Sequence, residues 1–169
     1  MSITRIVSGG QTGVDRAALD VALSRDIPCG GWCPKGRLAE DGRIPMSYPL
    51  RETPSPTYEE RTTWNVRDSD GTLVLTWGPP SEGTAFTVAL AREIGRPYLV
   101  IDLAENGGTP GQAAEWLRQN HVAILNVAGP RASKSPQVYE HAAAFLHSML
   151  DALYPRPEMR RGGCNGIVM

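Results

Sequence analysis

Short apolar segments alternate with longer segments of helical periodicity along most of this chain, and that alternation restricts the possible folds more than any other feature. Runs rich in β-branched and apolar residues predict strands at 3–8, 27–32, 72–76, 97–103 and 122–128. Apolar residues at helical spacing predict helices at 14–24, 58–67, 85–94, 110–120 and 136–153. Strands and helices that alternate through short connections predict an α/β fold, in which a mainly parallel sheet carries helices on both faces.

Three of the predicted strands, at 72–76, 97–103 and 122–128, are almost entirely apolar, as expected for strands that helices cover on both sides. In an open parallel sheet, ligands bind beyond the carboxyl ends of the strands. That rule selects loops that are rich in glycine or proline as candidate sites, namely 8–15, 33–45, 77–84 and 129–135.

The composition excludes several classes of protein. Of the 169 residues, 41% are hydrophobic and 21% are charged, which is typical of globular proteins. The net charge of −1 argues against a nucleic-acid coat, and no apolar run is long enough to cross a bilayer. We expect one domain over 1–154 and a flexible tail over 155–169. The odd number of cysteines, 3, argues against a disulfide scaffold and favours a cytoplasmic location.

The first glycine-rich loop leads directly into a predicted helix. Glycine lets the backbone approach a ligand closely, and a helix start adds partial positive charge, so the loop favours a bound phosphate. Neither GxGxxG nor GxxxxGK[ST] is present, which excludes the dinucleotide fingerprint and the Walker loop. The alternative is a turn that Thr12 or Asp15 caps. The candidate binding residues here are Gly9, Gly10, Thr12, Gly13 and Arg16.

Two later loops have the same character. Gly83 and Thr84 stand at a helix start after an apolar strand, where amides and a hydroxyl can hold a phosphate or a ribose, and Gly78 precedes them. Arg131 and Ser133 follow the last strand and precede the last helix, which is typical of an anion site. A capped turn is again the alternative for both loops.

Basic residues near these loops are further candidates, because guanidinium groups bind phosphate bidentately. Lys35 and Arg37 lie in a segment without clear periodicity, which predicts a long irregular excursion over 33–58. Lys35 taken singly is typical of a solvated surface. Arg61 and Asn65 share one face of a predicted helix, where a packing role and a binding role are equally good explanations.

The sequence predicts no metal site. Cys29 and Cys33 have the wrong spacing for zinc and lack a second pair. No histidine falls in the candidate loops, so no Ser-His-Asp or Cys-His arrangement is supported. Asp15 is the carboxylate best placed for acid–base chemistry, because it begins a helix beside the first glycine-rich loop, although helix capping explains it equally well.

Five stretches occur in order over about residues 3–153, namely SGGQTGVDRAALDVAL, PKGRLAEDGRIP, YEERTTWNVRDSDGTLVL, WGPPSEGTAFT and VAGPRASKSPQVY. This ordered set resembles the putative molybdenum carrier family, and it is far more specific than any single glycine loop. The resemblance implies a Rossmann-like fold related to phosphoribohydrolases and to DNA-processing proteins, molybdenum cofactor as a carried ligand, and a homo-oligomer, either a dimer or a tetramer.

One departure from the related phosphoribohydrolases bears on function. Their loop of type PGGxGTxxE supplies a glutamate for cleavage of the N-glycosidic bond, whereas this chain keeps Gly83 and Thr84 and carries Thr87 at the glutamate position. The resemblance therefore favours a carrier of a phosphorylated pterin or nucleotide-like ligand. The alternatives are an N-glycosidic hydrolase that uses Asp15, and a scaffold whose glycine loops only turn the chain.

Overall fold

The computed structural model describes residues 2–105 and 107–155, and it contains a parallel five-stranded sheet with helices on both faces. The strands in the described residues are β1 (Arg5–Val7), β2 (Cys29–Gly30), β3 (Trp32–Cys33), β4 (Leu38–Ala39), β5 (Gly42–Arg43), β6 (Arg51–Glu52), β7 (Gly71–Thr76), β8 (Tyr98–Asp102) and β9 (Ile124–Ala128). The helices are α1 (Val14–Ser24), α2 (Tyr58–Arg67), α3 (Glu82–Ile94), α4 (Pro110–Gln119) and α5 (Val138–Leu153). The predicted Rossmann-like α/β fold is confirmed. Residues 156–169 of the predicted tail lie outside the described residues.

The strand order across the sheet is β2-β1-β9-β7-β8, and all neighbouring pairs are parallel. The last strand in sequence, β9, therefore lies at the centre of the sheet. It pairs with β1, where Arg5 lies opposite Ile124, and with β7, where Thr72 lies opposite Asn126. This insertion brings the loops after β1, β9 and β7 to one edge of the sheet.

The two faces of the sheet have different chemistry. On one face, Leu73 of β7 and Leu125 of β9 pack with residues of α1, α4 and α5 in an apolar core. Successive side chains of a strand point to opposite faces, so the alternate residues of these strands face α2 and α3. They include Thr72, Thr76 and Asn126, all of them buried, and the Asn126 amide donates to the Thr72 hydroxyl at 3.2 Å. The α2–α3 side of the sheet is therefore polar.

Helix starts follow local capping chemistry. α3 begins at Glu82, earlier than the sequence predicts, because the Ser81 hydroxyl accepts a hydrogen bond from the Thr84 amide at 3.4 Å. α4 begins with a full capping box between Thr109 and Gln112. The caps thus fix the residue at which each helix begins, and with it the position of the backbone amides in its first turn.

The segment predicted as irregular, 33–58, contains short strands. β3 pairs with β6, and β4 forms a hairpin with β5. Arg37 holds this segment together. Its side chain is buried, and its guanidinium donates hydrogen bonds to backbone carbonyls of the same segment. The four acceptors, at 2.8–3.1 Å, are the carbonyls of Ile44, Pro45, Tyr48 and Leu50.

Replacing Arg37 by alanine is expected to lower the free energy of unfolding by about 3 kcal/mol, because buried carbonyls lose their donors. Urea unfolding measures the change. Arg43→Ala is the matched control, since this arginine of the same segment is exposed and its guanidinium lies 3.9 Å from the Met46 sulfur rather than on buried carbonyls. It should change stability by no more than about 0.5 kcal/mol. Equal effects of the two variants would contradict the role of Arg37.

Candidate functional site

A cavity opens where neighbouring strands send their connections to opposite faces of the sheet. β9 leads to α5 on one face, and β7 leads to α3 on the other. A crevice at such a switch point is the usual ligand site of open α/β sheets. We call it the main cavity, and it has a volume of about 820 Å³. Its walls come from the loops after β1, β7 and β9 and from α2 and α3.

The floor of the main cavity is polar. Asn126, the third residue of β9, lies on it, and Asn65 of α2 lines the same space. Thr87 of α3 also lines it, with its hydroxyl donating to the Gly83 carbonyl at 2.9 Å. In the described part of the chain, all buried side-chain nitrogen and oxygen atoms have a hydrogen-bond partner. The floor is therefore fixed before any ligand arrives.

A buried ion pair stands at the inner wall of the main cavity. An oxygen of Asp15 lies 3.7 Å from a guanidinium nitrogen of Arg61, and the same nitrogen donates to the Gly9 carbonyl at 2.8 Å. The backbone amide of Gln11 donates a hydrogen bond to the Asp15 carboxylate at 3.2 Å. Burial raises the pKa of Asp15, although Arg61 and the neighbouring amides oppose the shift. A carboxyl with a raised pKa inside a cavity can hold or transfer a proton.

The outer wall carries cations and an aromatic ring. The Tyr58 ring lies 5.2 Å from the guanidinium carbon of Arg61 and 6.0 Å from that of Arg131. Arg131 and Lys134 both line the main cavity from the loop after β9. These two side chains bring positive charge to the main cavity, which Glu59 and Glu82 also line.

The first turn of α3 faces the same cavity. The amides of Glu82 and Gly83 have no hydrogen-bond partner within the described residues, because Ser81 caps only the Thr84 amide. Both residues line the cavity, where the helix start adds partial positive charge. These amides can bind a phosphate group, and Arg131 lines the same cavity.

The glycines of the site differ in how much free space a side chain would have at each position. A Cβ on Gly9 would lie 2.3 Å from Arg61, and on Gly13 and Gly129 it would lie 2.4 Å and 2.2 Å from backbone oxygens. These glycines let the chain pack against itself. A Cβ on Gly83 would meet no atom within 4 Å. Because glycine weakens a helix, its presence at Gly83 is unexplained by internal packing and is consistent with a ligand that approaches the backbone.

A carboxylate of this chain occupies the predicted anion site of the 129–135 loop. Glu40 accepts hydrogen bonds from the Thr12 hydroxyl and from the amide and hydroxyl of Ser133, and it lies 3.9 Å from Arg131. Desolvation opposes ionisation, but the hydrogen bonds from Ser133 and Thr12 outweigh it and lower the pKa of Glu40. Thr12 and Ser133 thus donate their hydrogen bonds to Glu40 of this chain rather than to a ligand.

The structure brings only part of the predicted binding set to the main cavity. The predicted residues that line it are Gly9, Asp15, Arg61, Asn65, Gly83, Thr84 and Arg131. Those that do not line it are Gly10, Thr12, Gly13, Arg16, Lys35, Arg37, Gly78 and Ser133. The side chain of Arg16 pairs with Asp41 at 2.5 Å, and the Gly78 amide donates to Asp102.

Several residues that line the main cavity were not singled out from the sequence as binding residues. They are Tyr58, Ser81, Thr87, Asn126 and Lys134. Asn126 did carry a signal, because an asparagine within an otherwise apolar strand needs a buried polar partner. Tyr58 carried none, since its position depends on how α2 packs over the sheet.

Within residues 2–105 and 107–155, no cluster of three or more histidine, cysteine, aspartate or glutamate side chains is arranged to bind a metal ion. No helix in this part of the chain combines the length and apolar character needed to span a membrane.

The raised pKa of Asp15 predicts a pH dependence of stability. A carboxyl whose folded pKa lies above its unfolded value favours folding at low pH, and that contribution is lost as the pH rises through the folded pKa. Asp15→Asn lacks this titration. Its free energy of unfolding relative to wild type should therefore increase as the pH rises above about 4. Urea unfolding over a pH series measures the difference.

Asp41→Asn is the control of opposite sign. The hydrogen bonds from Arg16 lower the pKa of Asp41, so the wild-type contribution is lost as the pH falls. The relative stability of Asp41→Asn should accordingly decrease as the pH rises through about 3 to 4. The same trend in both variants would contradict the assignment for Asp15.

Comparison with known proteins identifies the family. The chain matches the model of the circularly permutated YpsA SLOG family over residues 6–150. It is similar to the crystal structure of "Putative molybdenum carrier protein" from Syntrophus aciditrophicus SB, with 47% identity, a TM-score of 0.84, and coverage of 88% of this chain and 96% of that one. Among curated proteins, none matches this chain. The resemblance found in the sequence is confirmed, and this chain belongs to the circularly permutated YpsA SLOG family.

Proposed function

We propose that this protein is a carrier that binds a phosphorylated small molecule in the main cavity. The observation that carries the proposal is the pair of amides of Glu82 and Gly83, which have no partner within the described residues and lie at a helix start in a cavity that Arg131 also lines. A helix start and a nearby guanidinium are the usual partners of a phosphate. The cavity volume of about 820 Å³ falls in the range that small-molecule ligands occupy.

We propose molybdenum cofactor as the cargo. The solved relative is named a molybdenum carrier protein, and the cofactor's pterin carries a phosphate that suits the α3 amides. Asn126 on the floor of the cavity can bind the hydrogen-bonding edge of a pterin. Molybdenum would arrive already held by the pterin. We also propose that the protein is a homo-oligomer, a dimer or a tetramer.

A second candidate is hydrolysis of an N-glycosidic bond in a nucleotide derivative. The buried Asp15 favours it, since its raised pKa and its place on the cavity wall suit an acid–base residue. Thr87 at the position of the related enzymes' glutamate argues against it. Incubation with nucleoside monophosphates separates the two functions. Free base that is released by wild type but not by Asp15→Asn supports the hydrolase, and no release supports the carrier.

Mass spectrometry under non-denaturing conditions tests the carrier function directly. Protein purified gently should retain a phosphorylated pterin or nucleotide, identified by its mass after release. A protein that retains no such molecule, and whose melting temperature does not change with AMP or a pterin monophosphate, would contradict the proposal. Ligand at a hundredfold over its Kd should stabilise the fold by roughly 2.7 kcal/mol.

Gly83→Ala is expected to separate binding from folding. The added methyl group has free space in the protein, so stability should stay equal or rise by up to about 1 kcal/mol. The methyl would stand between the phosphate and the α3 amides. The affinity for the retained ligand, or for AMP as a probe, should fall at least about tenfold, the loss of one charged hydrogen bond. Calorimetric titration measures the affinity, and thermal unfolding the stability.

Gly111→Ala is the matched control, because Gly111 holds the same second position in α4 and a Cβ there meets only the Thr109 hydroxyl, at 3.9 Å. It should leave ligand affinity unchanged. Arg131→Gln should weaken binding as Gly83→Ala does, whereas Lys35→Gln should not, since Lys35 is exposed outside the cavity. Wild-type affinity in both Gly83→Ala and Arg131→Gln would place the ligand elsewhere.

A further inference from the structure

A second cavity lies on the same side of the sheet as α2, towards the amino ends of the strands. It has a volume of about 120 Å³. Arg5 and Ile124, the paired first residues of β1 and β9, mark its position at the end of the sheet opposite the main cavity. The residues that line the second cavity are Arg5, Val7, Gly31, Trp32, Arg51, Asn65, Asp68 and Ile124.

Two guanidinium groups of the second cavity have no counter-charge. Within the described residues, the side chains of Arg5 and Arg51 take part in no hydrogen bond or ion pair. The carboxylate of the cavity, Asp68, is already engaged. It accepts from Arg67 at 2.6 Å and 2.9 Å and from the Trp32 indole at 2.8 Å. This surface is therefore positive although the chain as a whole carries a net charge of −1.

The walls of the second cavity are fixed. Asn65 binds both backbone groups of Trp32, donating to its carbonyl at 2.9 Å and accepting from its amide at 2.8 Å. The Trp64 ring packs edge-on against Trp32 at 4.7 Å. Arg51 lies opposite Trp32 in the β3–β6 register, and its amide donates to the Gly31 carbonyl at 2.9 Å. A rigid wall lowers the entropic cost of binding.

The position of Arg5 depends on a glycine. A Cβ on Gly30 would lie 2.3 Å from an Arg5 guanidinium nitrogen, so the missing side chain provides the space in which this group lies. Gly30 is buried and pairs with Val7 of β1. The guanidinium of Arg5 thus lies across β2, beside the second cavity.

We propose that the second cavity is a binding site for a phosphate group, either inorganic phosphate or a phosphate monoester. A phosphate carries a charge of about −1.5 to −2 at neutral pH, which balances the two free guanidiniums, whereas a single carboxylate carries half of that. Both arginines can donate two parallel N–H bonds to its oxygens. A volume of about 120 Å³ holds one phosphate group, far less than the main cavity can accept, so the ester group of a monoester would project into solvent.

Titration with inorganic phosphate tests the site, followed by the NMR signal of the Trp32 indole N–H. The signal is assigned by its loss in Trp32→Phe. The Arg131→Gln background is used to weaken the binding of phosphate in the main cavity. A saturable shift is expected. Arg5→Gln or Arg51→Gln should each weaken binding at least about tenfold, because each variant removes the charged hydrogen bonds of one arginine. Arg43→Gln, which removes an exposed arginine of the β4–β5 hairpin, should leave the titration unchanged.

Each other outcome overturns the proposal. A signal that does not move in millimolar phosphate, or that moves equally in the Arg5→Gln/Arg51→Gln double variant, shows that these arginines form no phosphate site. Acetate at equal ionic strength that binds as tightly as phosphate shows that the dianion is not selected. Since both arginines are exposed, the variants should keep the fold, and a wild-type circular dichroism spectrum verifies it. None of these results depends on whether the main cavity binds a ligand.

Discussion

The position of β9 between β1 and β7 is the constraint on which the rest of the structure depends. Because β9 and β7 send their helices to opposite faces, the sheet cannot be closed over at their carboxyl ends, and the main cavity results. The same insertion brings Asn126 opposite Thr72 and gives the α2–α3 side of the sheet its polar character. The other face is free to form an apolar core and stabilise the fold.

The loops that resemble anion sites are largely occupied by the chain itself. In the first loop, Asp15 accepts a hydrogen bond from the backbone amide of Gln11. Glu40 accepts hydrogen bonds from the Thr12 hydroxyl and from the backbone amide and hydroxyl of Ser133. Buried donors need acceptors whether or not a ligand is present, and internal carboxylates supply them permanently. In the described part of the chain, the amides of Glu82 and Gly83 at the start of α3 have no partner, and the proposed phosphate of the cargo would bind there.

Asn65 links the two cavities physically. It lines both, and its amide fixes the backbone of Trp32 between them. A side chain with both polar ends engaged has one orientation, so each cavity keeps a rigid shared wall. The α2 helix therefore contributes Arg61 and Tyr58 to the main cavity. At the carboxyl end of the same helix, Asp68 accepts a hydrogen bond from the Trp32 indole and lines the second cavity.

The sequence by itself determined the class of the fold and the order of its elements. Apolar periodicity and glycine-rich turns act over a few residues, so the parallel sheet, the helices and the helix start at Gly83 and Thr84 could be predicted. Family resemblance added the carrier hypothesis. The short strands within the segment 33–58 were harder to predict from the sequence. The strands at Trp32 and Arg51 are two residues long, and they form only by pairing with each other.

Tertiary structure alone decided which polar residues meet. Arg37 and Arg61 are both arginines near glycine-rich loops, yet one binds four carbonyls of its own segment and the other stands beside Asp15 in the main cavity. The insertion of β9 is a long-range pairing that leaves no local pattern in the sequence. Local patterns record what each residue prefers, whereas the partners of a buried charge depend on elements more than 40 residues away, such as Gly9 for Arg61.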